Sequence, residues 1–125
     1  MGIHHLEFWV RDWRLSQPFY EELFRLVGWK QLSNHAFVKG QTEIYFVERP
    51  QIQKQDTLGP RHICLSASSE EVVHQVAKWL QEQQADVIRG PVEMEHYSPG
   101  YLTVDFRDPD GYIWEVAFTP NFVWE

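Results

Sequence analysis

Three residues far apart in the chain, His5, His62 and Glu115, are the ones whose types could do metal chemistry together. Two imidazoles and one carboxylate form a facial donor set that divalent metals accept while leaving positions open for a substrate. Each lies in a stretch whose alternation reads as a β-strand, from Ile3 to Val10, Arg61 to Ala67 and Tyr112 to Phe118. Successive strand residues point to opposite faces, so a sheet with helices on one side must turn an apolar set toward them. Those sets are Leu6, Phe8 and Val10; Ile63, Leu65 and Ala67; and Trp114, Val116 and Phe118. The opposite faces carry His5, Glu7 and Trp9; His62, Cys64 and Ser66; and Ile113, Glu115 and Ala117. One metal-capable side chain from each strand is therefore expected on the face away from the helices. Fe(II), Mn(II), Ni(II) and Zn(II) all suit such donors, and ligand type alone does not choose among them.

The elements that must position these residues come in a repeated order. Helical spacing runs from about Leu15 to Val27, with Phe19, Leu23, Leu26 and Val27 on one stripe and Gly28 as the stop. Strand-like stretches follow at Trp29–Ser33, His35–Lys39 and Thr42–Glu48. Arg49 to Pro60, with two prolines and several polar residues, reads as a linker. The second half opens with the strand from Arg61 to Ala67. Ser69-Glu70-Glu71 then starts a helix with Val72, Val73, Val76 and Leu80 on its apolar stripe. Weaker strands are predicted near Asp86–Arg89 and Tyr101–Arg107, and the turn Asp108-Pro109-Asp110-Gly111 leads into the last one. The chain thus reads as one domain spanning 1–125, with a module at 1–48, a linker at 49–60 and a second module at 61–125, each module βαβββ.

Composition narrows the function classes. With 125 residues, 43% apolar and 23% charged, the chain suits a single folded core. A net charge of −7 and scattered Lys and Arg exclude nucleic acid as an expected partner, because phosphate binding needs a basic face. One cysteine, Cys64, allows no internal disulfide and fits a reducing compartment. No apolar run has the length of a membrane span or signal segment, so a cytoplasmic protein is expected. The 15% aromatic content serves both a core and a lined small-molecule cavity.

The motifs HHLEFWVRD, PFYEELF and LVGW in the first half, and RHICLSA and DPDGYIWEV in the second, resemble the glyoxalase/bleomycin-resistance/dioxygenase superfamily, also called vicinal oxygen chelate. The resemblance spans essentially the whole chain. It implies an α+β fold in which two βαβββ modules form a cupped, mostly antiparallel half-barrel sheet with helices on the outer face. It also places the metal ligands on His5, His62 and Glu115, and implies a homodimer whose sites form within one chain or across two. Glyoxalase I enzymes add a glutamate at the end of the first module, where this chain has Tyr45 in TEIYFVE, flanked on its own face by Glu43. A three-ligand site instead resembles extradiol dioxygenases and fosfomycin-modifying transferases, but basic residues that would grip a phosphonate are not evident after Glu115.

The expected activity is that of a divalent-metal-dependent lyase, isomerase or dioxygenase acting on a small oxygen-chelating substrate. Glu115 and Tyr45 are the candidate catalytic groups, and Glu7, Trp9, Tyr97 and Tyr101 the candidate substrate contacts. The alternative is a metal-independent, bleomycin-resistance-like module that sequesters a cationic aromatic drug in an acidic cleft. Against these stand plainer roles. A strand histidine can simply be a hydrogen-bonded ring, and tyrosines can simply pack. His4, His35, His74 and His96 are expected on the surface, Cys64 as an inert thiol, and Asp108 and Asp110 as turn residues.

Overall fold

A computed structural model describes residues 2–53 and 58–123, so residues 54–57 of the predicted linker lie outside the described ones. The chain divides into two compact units, Met1–Asp56 and Thr57–Glu125. In chain order the first holds β1 (His5–Val10), α1 (Trp13–Leu26), β2 (Lys30–Ser33), β3 (Ala36–Lys39) and β4 (Thr42–Glu48). The second holds β5 (His62–Ser66), α2 (Glu70–Glu82), β6 (Asp86–Glu93), β7 (Leu102–Arg107) and β8 (Ile113–Phe118). The α+β class and the βαβββ order of both modules are as the sequence predicts. Each unit carries an open four-stranded sheet, ordered β1-β4-β3-β2 in the first and β5-β8-β7-β6 in the second. Both sheets are mixed, because the outer pair β1 with β4, and likewise β5 with β8, runs parallel while the other pairs are antiparallel.

In the first unit α1 begins where the Asp12 side chain accepts the Arg14 N–H. The Glu48 carboxylate reaches back from β4 to take the Trp13 N–H at 2.9 Å, satisfying another orphan donor of the first turn. The helix ends at Gly28 with φ of +83°. There Gly28 N–H bonds Arg25 O and Trp29 N–H bonds Phe24 O, a closure that needs a left-handed residue. The buried stripe Trp13, Phe19, Tyr20, Leu23 and Phe24 packs on Phe37, Ile44 and Phe46 of the sheet. Rings dominate this core, with Tyr20 and Phe46 centred 4.0 Å apart and Phe24 and Phe37 4.5 Å apart. His35 is exposed, as expected, and lays one face of its ring on Trp13 with ring centres 5.1 Å apart.

In the second unit Ser69 caps α2 by accepting the Val72 N–H. Val73, Val76, Trp79 and Leu80 are buried on the helix; Leu65, Val104, Phe106, Trp114 and Val116 are buried on the strands. The DPDG turn is built by Asp108, whose Oδ1 accepts the backbone N–H groups of Asp110, Gly111 and Tyr112. That is the structural role expected of it. Strand β6 runs past the predicted end at Arg89 to Glu93, through register shifts between Arg89 and Val92. Gly90, at φ +94°, permits this, since a Cβ there would stand 2.4 Å from the Thr103 carbonyl of β7. No helix among the described residues is long and apolar enough to cross a membrane.

Candidate functional site

The alternation of β5 leaves His62 and Cys64 on the side away from the core while Leu65 is buried. Strand β8 pairs in parallel with it, placing Glu115 opposite Cys64. Antiparallel β7 then sets Asp105 opposite Glu115 and Thr103 opposite Ala117. Three adjacent strands thus bring His62, Glu115, Thr103 and Asp105 to one face.

Glu115 is the centre of this cluster and only 4% exposed. A buried carboxylate is costly unless its oxygens are satisfied, and here they are. Oε2 accepts the Thr103 hydroxyl at 2.7 Å and the Tyr101 phenol at 2.8 Å. Oε1 lies 3.2 Å from His62 Nε2. Asp105, also buried, accepts Arg89 Nη2 at 3.0 Å. Contact with Tyr97 and the charge of Asp105 together hold the Arg89 guanidinium above its ordinary range, against desolvation. Burial, then the hydrogen bond to Glu115, holds the Tyr101 phenol well above the usual phenol value. Cys64 presents surface to solvent, yet its sulfur is enclosed; desolvation first and the Glu115 carboxylate second push its thiol up to about 12. It is a poor nucleophile near neutrality.

His62, Glu115, Tyr101, Asp105 and Arg89 line a cleft of about 720 Å³ within the second unit, together with Arg61, Ile88, His96, Tyr97 and Phe122. Tyr97 meets Tyr101 edge-on, ring centres 5.1 Å apart. The structure therefore gathers His62, Glu115, Tyr97 and Tyr101 of the sequence-predicted site. It adds Thr103, Asp105, Arg89 and Arg61, which residue type alone did not single out. Thr103 and Asp105 were detectable: LTVDF alternates, and the polar members share the parity of Tyr101.

The other predicted residues lie in the first unit. His5 is exposed at the start of β1 and pairs with Glu43 of β4, as Glu7 does with Tyr45. In the second unit the same two steps pair His62 with Ile113 and Cys64 with Glu115. Tyr45 thus stands at the register place of Glu115, and the first unit's carboxylate, Glu43, sits one pleat earlier. The Tyr45 hydroxyl donates to Glu43 at 2.5 Å. That bond, the largest cause, raises the phenol above its ordinary value. The His5 ring meets Tyr45 edge-on at 5.8 Å, and its Nδ1 lies 3.0 Å from His4 Nδ1. Glu7 accepts Trp9 Nε1 at 2.8 Å, and Arg49 lies over the Trp9 ring at 5.4 Å.

The His62–Glu115 pair has donor chemistry and spacing that suit a divalent ion. With metal–ligand bonds near 2.1 Å, two donors on one ion sit about 3.0–3.4 Å apart, and the observed 3.2 Å falls in that range. Among the described residues of the second unit, no third His, Cys, Asp or Glu completes a ligand set with them.

A family model for the Glyoxalase/Bleomycin resistance protein/Dioxygenase superfamily matches residues 2–116. The chain belongs to that superfamily. Solved structures share the fold. A glyoxalase/dioxygenase from Nostoc punctiforme matches with a TM-score of 0.76 at 17% identity, covering 96% of this chain and 92% of that one. A candidate glyoxalase from Bacillus halodurans matches at 0.74 and 22% identity, covering 93% and 94%. A glyoxalase family protein from Enterococcus faecalis matches at 0.67 and 22% identity, covering 93% and 96%. No curated protein matches the chain.

Proposed function

We propose that this protein is a divalent-metal-dependent enzyme, of lyase, isomerase or dioxygenase type, acting on a small substrate that offers adjacent oxygens. The observation carrying this reading is the buried Glu115, tied back through Oε2 by two hydroxyls while Oε1 faces His62 Nε2 at 3.2 Å. In this proposal His62 and Glu115 are ligands, and His5, assigned by the family resemblance, is the third. When bound, the ion, be it Fe, Mn, Ni or Zn, supplies Lewis acidity to substrate oxygens and, if iron, a site for dioxygen.

The chain's own groups do the rest. Thr103 and Tyr101 fix the carboxylate of Glu115, so that it need not reorganise on binding. Tyr97 and Tyr101 form a wall of the cleft, whereas the Tyr45 hydroxyl, committed to Glu43 and raised above its ordinary value by that bond, is not poised to take a proton. Sequestration of a cationic drug is the weaker reading, because the cleft presents Arg61 and Arg89 while both of its carboxylates are engaged.

Titration calorimetry with Mn(II), Ni(II) and Zn(II) tests the proposal. His62→Ala and Glu115→Gln are each expected to weaken binding by more than about 100-fold, beyond what loss of an outer-shell partner costs, and His5→Ala comparably. Negligible affinity of the unaltered protein for every first-row divalent ion would refute it.

A further inference from the structure

Charge in the cleft of the second unit is unevenly satisfied, and the imbalance identifies what belongs there. Asp105 is neutralised by Arg89 at 3.0 Å, and Glu115 is held by two hydroxyls with His62 beside it. Arg61 differs. Its guanidinium faces the cleft, Nη1 lies 3.4 Å from His62 Nδ1, and no carboxylate pairs with it among the described residues. The two guanidinium groups and two carboxylates lining the cleft cancel in sum, but Arg61 alone has no carboxylate opposite it among the described residues, and a divalent ion at Glu115 would leave the cleft net positive. That is notable in a molecule whose own charge is −7.

The opposite character comes from Tyr97, Phe122 and Ile88, large apolar side chains on the cleft wall that are 51%, 42% and 37% exposed. A volume near 720 Å³ matches a small organic ligand. We infer that the cleft takes a small molecule joining a flat apolar body to an oxyanion, with Arg61 gripping the oxyanion and Tyr97 packing on the body. A guanidinium offers a planar fork of donors that fits carboxylate and phosphoryl oxygens alike, so both are the same chemistry at this position. This inference rests on the reading that the cleft is the substrate site, and it specifies the substrate's class.

The test is an NMR titration of the full chain, in EDTA and then with Zn(II), using four probes of one shape. Phenylacetate and phenylphosphonate carry the oxyanion, phenylacetamide is the neutral match, and phenethylamine is the cation. At least one acid is expected to bind tenfold or more tightly than the amide, with or without Zn(II). Whichever acid leads assigns a planar or a tetrahedral oxyanion. Arg61→Gln should bring the acids down to the amide's affinity while leaving the amide unchanged, and Arg61→Lys should keep part of the preference, with thermal unfolding confirming that both variants fold. Tyr97→Ala should weaken acids and amide together. Acids binding no better than the amide, tighter binding of the amine, or no acid binding at millimolar concentration would overturn the inference. Zn(II) uptake by Arg61→Gln separates the two proposals. Normal uptake without acid preference in the unaltered protein sinks only this one, whereas acid preference without metal uptake sinks only the metal reading.

Discussion

Glu115 shows how a carboxylate can sit in an apolar strand. Its neighbours Trp114 and Val116 are buried, and it is buried with them. Thr103 supplies one of the two hydroxyls that make this tolerable, and a single O–H can serve only one acceptor at a time. The 2.7 Å bond to Glu115 takes it, ahead of the Val116 carbonyl at 3.3 Å and Asp105 at 3.4 Å. Thr103→Val keeps the shape and removes the donor. Urea unfolding should show a loss of about 1–3 kcal/mol, and an unchanged midpoint would mean that Tyr101 alone satisfies the carboxylate.

Asp108 belongs to the same scale. Burial outweighs its backbone N–H donors and the Trp114 indole, and lifts the carboxyl from the ordinary 3.8 to about 7. Between those values the folded chain holds a proton that the unfolded chain has released. The contribution of Asp108 is therefore complete below about pH 4 and is lost as pH rises through about 7. Asp108→Asn keeps the Oδ1 acceptor without the charge. Relative to that variant, the unaltered protein should lose up to about 4 kcal/mol of stability from pH 4 to pH 7; parallel profiles would contradict the shift.

At the scale of elements, the two helices close in the same way with different residues. Each ends with one bond spanning five residues and one spanning three, from Trp29 and Gly28 in α1 and from Ala85 and Gln84 in α2. The left-handed position is Gly28 in the first, but Gln84 at φ +56° in the second. An L side chain is strained there. Gln84→Gly should stabilise the protein by about 0.5–1 kcal/mol in chemical denaturation, and destabilisation would show that the Gln84 side chain matters more than its backbone.

Strand parity is also where the candidate site became legible. Apolar alternation in β5 and β8 put His62 and Glu115 on the face away from the helix without any contact information, whereas the place of Tyr45 came from the family resemblance and its register equivalence to Glu115 from the strand pairing. What stayed hidden has physical causes. Gly90-Pro91 reads as a chain breaker, so β6 was expected to stop at Arg89, whereas the strand continues past a local shift in register. Arg61 and Arg89 read as ordinary surface charge, because only the three-dimensional cleft shows one of them paired with a carboxylate and the other facing none.

For the whole molecule, duplication explains much of the architecture. Two βαβββ units with the same strand order use the same pairing of first and last strands, yet their chemistry differs by one pleat and one residue type. A net charge of −7 should dominate long-range encounters despite the local cation at Arg61. The protein should pass through a heparin column unretained at low salt, and retention there would point to a polyanion partner that overall charge argues against.

The proposed site requires that His62 and Glu115 hold one divalent ion between them. Crystals grown with Mn(II) or Zn(II), with diffraction recorded above and below the metal's absorption edge, test it most directly. The predicted result is one anomalous peak within bonding distance of both His62 Nε2 and Glu115 Oε1. A fully loaded protein whose only anomalous peaks lie away from that pair would contradict it.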